Sequence, residues 1–115
     1  MGPRVVIVDD HERFRTQVAE LLRLELFTVV GDSATAAGGV ELSRRLAPDV
    51  VLLDVGLPDA SGFDIVRAMH ATGAVVVLTS SRTATDYGRR VADSGAEGFI
   101  NKDELTGEAI RSLLR

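Results

Sequence analysis

The sequence predicts an α/β fold, a doubly wound parallel sheet of five strands with five helices on both faces, and three observations carry that expectation. Short β-branched runs alternate with longer segments whose apolar residues recur at helical spacing. Three of those runs are apolar throughout, as strands covered on both faces by helices are. Five strand–helix pairs fill 115 residues, leaving nothing for a linker, a repeat array or a low-complexity segment.

Val5-Val6-Ile7-Val8 forms the first strand and runs into Asp9-Asp10. Phe14, Val18, Leu21 and Leu22 then line one face of a helix over roughly 12–25, with Asp10 or His11 near its start. Phe27-Thr28-Val29-Val30 reads as a weaker strand suited to a sheet edge. A second helix is predicted from Thr35 to Leu46 on Val40, Leu42 and Leu46. Gly38 and Gly39 weaken its first half, each costing about 1 kcal/mol relative to alanine.

Val50-Val51-Leu52-Leu53 is the third strand and ends in Asp54; Val75-Val76-Val77-Leu78 is the fourth and ends in Thr79-Ser80-Ser81. Between them Phe63, Val66 and Met69 mark a third helix over Gly62 to Ala71. A fourth helix is predicted from Asp86 to Ser94, a fifth strand at Gly98-Phe99-Ile100, and a fifth helix from Glu104 to Leu114. The economical arrangement is the flavodoxin-like strand order 2-1-3-4-5, in one domain spanning 1–115.

Composition narrows the function. A hydrophobic fraction of 45% with 26% charged residues is globular, and no stretch approaches the ~18 apolar residues of a membrane helix. Acidic residues directly after the first apolar run argue against a secretory signal, and the absence of cysteine excludes thiolate metal sites and fits a cytoplasmic protein. A net charge of −4 argues against direct nucleic-acid binding, which uses a clustered basic surface.

Right-handed crossovers bring ligands to the carboxyl ends of the strands, where the order reverses between strands one and three. Asp9-Asp10 and Asp54 end those two strands, and strands ~4.8 Å apart let the three carboxylates converge. Unpaired, they would repel one another, so the arrangement calls for a cation. Oxygen-only ligands select a hard ion, Mg²⁺ or Mn²⁺, with Asp9 or Asp10 binding directly and the other orienting water. Thr79-Ser80 offers a hydroxyl to the same crevice and Lys102 a cation. The chemistry that fits is phosphoryl transfer to a carboxylate. Asp54 is the better nucleophile, since it alone ends the central strand and precedes the turn Gly56-Leu57-Pro58-Asp59. His11 and His70 read as solvated or capping residues, and Arg44-Arg45 and Arg89-Arg90 as exposed helix charges.

VVIVDDH, VVLLDVGLPDASGFD, VLTSS and GAEGFINKDEL stand in order along essentially the whole chain. Together they resemble the response-regulator receiver family of two-component signalling, closest to receivers of helix-turn-helix transcriptional regulators. The resemblance implies a phosphoacceptor, not an enzyme with turnover, with Asp54 phosphorylated by a sensor histidine kinase. It implies a metal site completed by Asp10 and the Gly56 backbone carbonyl, with Asp9 acting mainly through water. Lys102 would pair with the Asp54 carboxylate and the phosphoryl oxygens, and Ser80, or alternatively Thr79, would contact the phosphoryl group. Phe99 takes the place of the family's aromatic switch residue and, lacking a hydroxyl, can signal only by packing. Ser80 and Phe99 would then reshape the face of the fourth helix, fifth strand and fifth helix, the expected output surface and a homodimer contact. Any DNA-binding domain would lie in a longer chain.

Where many members of the family carry proline after the lysine, this chain has Asp103, so a trans Lys102-Asp103 bond is expected. A haloacid-dehalogenase-type phosphatase also uses a strand-end aspartate, but its second acid two residues later is replaced here by Gly56. Neither a dinucleotide fingerprint nor a P-loop follows the first strand. A degenerate receiver serving only as an interaction module is the remaining alternative.

Overall fold

The computed structural model describes residues 2–115, which form β1 (Arg4–Val8), α1 (Glu12–Leu24), β2 (Thr28–Ser33), α2 (Ala36–Leu46), β3 (Val50–Asp54) and α3 (Gly62–His70), followed by β4 (Val75–Ser80), α4 (Ala84–Tyr87), α5 (Arg90–Asp93), β5 (Gly98–Asn101), a 3-10 turn (Lys102–Glu104) and α6 (Gly107–Leu113). The five strands are all parallel in the order β2-β1-β3-β4-β5, as the sequence predicts.

Alternate residues along the central strands feed two separate cores. Val5, Ile7, Val50, Leu52, Val77 and Ile100 pack with Val18, Leu22 and Ile110 of α1 and α6. Val6, Val8, Val51, Leu53, Val76 and Leu78 pack with Val66 and Met69 of α3 on the other face. The apolar runs are therefore continuous because both faces are covered. No helix among the described residues is long and apolar enough to cross a membrane.

Gly39 is explained by close approach. A Cβ there would stand 2.6 Å from Val8 Cγ2, so glycine lets α2 lie directly on β1. Thr35 caps that helix by accepting the Gly38 N–H, and Asp59 accepts the Ala36 and Ala37 N–H groups at 2.8 and 3.0 Å. The loop after β3 is thereby tied to the start of α2.

Three elements differ from the sequence expectation. β2 extends through Gly31-Asp32-Ser33, and a bulge sets Val5 opposite Val29 but Val6 opposite Gly31. The apolar signal stops at Val30, whereas β1 continues to offer ladder partners, and Asp9 N–H donates to Ser33 O at 3.0 Å. The fourth helix is two single turns, α4 and α5, so six α-helices stand where five were expected. Gly88 breaks the segment with φ +59° and ψ −131°, and neither turn has a buried residue to hold it to the sheet. The last helix starts at Gly107, not Glu104, because Thr106 caps it by accepting the Ala109 N–H and a 3-10 turn occupies the preceding residues. The Lys102-Asp103 bond is trans, as expected.

Candidate functional site

Asp54 closes β3 at the centre of the sheet, and Asp9 and Asp10 follow β1 beside it. Asp9 is 1% exposed and Asp54 5%, whereas Asp10 faces solvent. Lys102, immediately after β5, reaches in so that Nζ stands 2.7 Å from Asp9 Oδ2 and 3.6 Å from Asp54 Oδ1. Its ammonium also lies 4.5 Å from the Phe14 ring centroid of α1, an aromatic face that steadies a cation against the acids.

These surroundings pull Asp54 in opposite directions. Burial raises its pKa most and the Asp9 carboxylate adds to that; Lys102 and the Gly56 N–H lower it, and Asp10 raises it slightly. The net effect pushes Asp54 up to about 6.

The crevice has the donor set for a divalent cation. One oxygen each from Asp9, Asp10 and Asp54 and one nitrogen of His11 lie within 4.8 Å of one another. Asp9 Oδ2 is buried with no hydrogen-bond donor of good geometry, only the Lys102 charge beside it. A buried carboxylate oxygen with spare acceptor capacity, among neighbouring carboxylates that repel one another, suits a hard cation such as Mg²⁺ or Mn²⁺. Gly56 is exposed in the turn after β3, with Asp54 two residues before it.

The strand-four hydroxyls are both buried but occupy different positions. Thr79 is directly opposite Asp54 in the β3–β4 register, and Ser80 stands one residue further towards the carboxyl-end mouth. Ser80 Oγ accepts the Arg82 N–H at 3.0 Å and is 2.6 Å from Tyr87 Oη. Phe99 is half-buried against the α3-side core, and its ring meets the Tyr87 ring edge-on at 5.9 Å.

Several residues take roles that sequence reading did not assign. His11 is exposed at the start of α1, as expected, yet its Nδ1 lies 2.9 Å from Asp9 Oδ1 and 3.2 Å from Asp10 Oδ1, inside the ligand cluster. Arg15 donates to the Asp9 backbone carbonyl at 2.7 Å and pairs with Asp32 at 3.2 Å, fixing the turn that aims Asp9. Its position on the first turn of α1 was the available signal. His70 lies outside the crevice and bonds Glu97 at 2.8 Å. Arg44 and Arg45 are exposed charges on α2, Arg89 is exposed in the turn between α4 and α5 and not on a helix, and Arg90 lies over the Phe63 ring at 4.5 Å.

With that geometry in place, the chain belongs to the response regulator receiver domain family, whose sequence model matches residues 5–114. It is 36% identical to the nitrate/nitrite response regulator protein NarP of Escherichia coli over 116 residues, covering 95% of this chain and 54% of that protein. It is 33% identical to the transcription regulator BvgA of Bordetella pertussis over 115 residues, covering 97% of this chain and 54% of that one. The chain thus spans about half the length of the curated relatives it matches. Among solved structures, the signal receiver domain of NarL from Mycobacterium tuberculosis superposes with a TM-score of 0.86 at 32% identity, covering 98% of this chain and 94% of that one. The BeF3-activated receiver domain of Klebsiella pneumoniae RstA gives a TM-score of 0.86 at 26% identity, covering 97% and 98%.

Proposed function

We propose that this receiver domain accepts a phosphoryl group on Asp54 from a sensor histidine kinase, in a reaction supported by Mg²⁺ or Mn²⁺. The observation that carries this reading is the placement of Asp54: buried, at the end of the central strand, beside Asp9 and within reach of the Lys102 ammonium. Transfer from a phosphohistidine forms a bond from an Asp54 carboxylate oxygen to phosphorus and breaks the phosphorus–nitrogen bond. The imidazole nitrogen keeps the bonding pair.

Asp54 with a pKa near 6 is ionised at neutral pH yet sparsely solvated, which favours it as a nucleophile. Asp9, Asp10, Asp54 and the Gly56 carbonyl would hold the divalent ion, Asp9 mainly through water, with His11 alongside. That ion would supply charge neutralisation for the phosphoryl oxygens. Lys102 is close enough to Asp54 to exchange part of its contact with Asp9 for a phosphoryl oxygen. Ser80, one residue nearer the mouth than Thr79, is the hydroxyl we assign to a group that extends outward from Asp54, with Thr79, opposite Asp54 in the ladder, as the alternative. The product is the modified protein itself, so the domain is a signalling acceptor that carries out its own phosphorylation and slow hydrolysis.

The phosphorylated state would be read on the face of α4, α5, β5 and α6, through Ser80 and Phe99. That face would serve homodimer contact and control of a covalently linked DNA-binding domain in a longer chain, a role consistent with the regulators it resembles. A cytoplasmic setting fits the lack of cysteine.

Acetyl phosphate with Mg²⁺ is expected to label the protein, and Asp54→Ala to abolish the label. Persistent labelling of that variant overturns the assignment. A wild-type protein that takes neither label nor Mg²⁺ is instead a phosphorylation-independent interaction module.

A further inference from the structure

The hydrogen bond between Ser80 and Tyr87 joins the strand that flanks Asp54 to the least-packed segment of the fold. Tyr87 ends the single-turn α4, which has no fully buried residue and reaches the α3-side core only through this half-buried ring. What orients the side chain is aromatic packing: the Phe63 ring at 5.1 Å and the Phe99 ring at 5.9 Å both meet it edge-on. A capping box between Thr83 and Asp86 fixes the turn that presents it. The ring is thus held from two sides and its hydroxyl is aimed at Ser80.

Ser80 Oγ has two partners, the Arg82 N–H in the loop before α4 and the Tyr87 hydroxyl at the end of α4, and neither belongs to the acidic cluster. A serine hydroxyl has one proton and two lone pairs, so these contacts take most of its bonding capacity and fix its direction. To contact a phosphoryl group on Asp54, Ser80 must rotate and give up Tyr87. Phe99 cannot replace that partner, because it has no hydroxyl and Tyr87 is the chain's one tyrosine.

We infer that the Tyr87 hydroxyl is a latch that holds Ser80 away from the phosphorylation site, making Tyr87 a positioning residue for phosphoryl transfer. This rests on Asp54 as phosphoacceptor and on Ser80 as the hydroxyl that reads the phosphoryl group. Release works in both directions. Phosphorylation draws Ser80 inward and frees Tyr87, and with it α4; a partner that pulls Tyr87 outward frees Ser80 and favours phosphorylation.

The test uses Tyr87→Phe, which keeps the ring between Phe63 and Phe99 and removes only the hydroxyl. With acetyl phosphate and Mg²⁺, the variant is expected to be phosphorylated ~3–10-fold faster than wild type, the factor set by one net hydrogen bond. The acceleration should vanish in a Ser80→Ala background. A second readout is optical: with one tyrosine and no tryptophan, tyrosine emission reports this site alone. Beryllofluoride with Mg²⁺ is expected to change that emission in wild type and to leave it nearly unchanged in Ser80→Ala, where the bond is already absent. Equal or slower labelling of Tyr87→Phe, an acceleration that persists without Ser80, or an emission insensitive to beryllofluoride in a protein that does take label each overturns the latch alone. A wild-type protein that takes no label overturns the phosphoacceptor reading and the latch with it.

Discussion

Asp54 carries an electrostatic cost in the fold that the proposed phosphoryl transfer would relieve. An aspartate raised from 3.8 to about 6 is favoured in its neutral form by folding, so its contribution to stability is full below pH 3.8 and is lost as pH rises through 6. The loss amounts to about 3 kcal/mol at neutral pH. Asp54→Asn removes the charge and keeps the shape, so it is expected to be more stable than wild type by ~1–3 kcal/mol at pH 7.5 and nearly equal at pH 4. Urea denaturation across that range measures the difference between the two proteins, in which the other titrating groups cancel. A difference that does not grow between pH 4 and 6 would contradict the assignment of strain to Asp54. Magnesium should narrow it at pH 7.5, since only the wild-type site keeps all its carboxylates.

The site residues legible in the sequence are those fixed by strand ends. Asp9 and Asp10 follow β1, Asp54 ends β3 and Lys102 follows β5, so topology alone brings them to one mouth. Arg15, Tyr87 and Asp59 escaped because their partners are remote or conformational: a backbone carbonyl, a hydroxyl on the neighbouring strand, and the N–H groups of a helix 22 and 23 residues earlier. No periodicity encodes such contacts.

Among the elements, those with a buried stripe were predictable and those without one were not. The central strands and α1 to α3 have apolar residues at the spacing their packing requires. The segment 84–93 has only Tyr87 and Val91 as large apolar residues, too few to bind a continuous helix, and Gly88 divides it. β2 was underestimated because an edge strand has less need of apolar residues and takes its extra length from the β1 ladder. At Gly39, helix propensity and packing conflict. Alanine would gain about 1 kcal/mol of propensity, but its Cβ would meet Val8. Overpacking costs ~1–3 kcal/mol, so Gly39→Ala is expected to be neutral to destabilising by up to ~2 kcal/mol, whereas an exposed helical glycine would gain from the change. A clear rise in the denaturation midpoint would show that α2 yields at no cost.

For the whole molecule, the two cores divide the fold unequally. The Lys102–Asp9 contact and the central strands belong to a part anchored on both faces, while α4 and α5 rest on its rim. Amide exchange is expected to approach the global unfolding limit in β1, β3 and β4 and to be far faster across 84–93. Mass spectrometry of exchange under native conditions resolves these regions. Comparable protection in both would remove the basis for treating 84–93 as the part that responds.

The thin packing of α4 and α5 also bears on how such a domain diverges. Substitutions at exposed positions away from buried contacts typically alter stability by no more than about 0.5 kcal/mol. Apart from Tyr87 and Arg90, which touch the aromatic rings, Asp86 of the capping box and Gly88 at its positive φ, most of 84–93 can therefore be rewritten while the anchored half stays intact. Were this the output face proposed above, partner choice could drift there, one surface residue at a time, without the fold having to be rebuilt around each change.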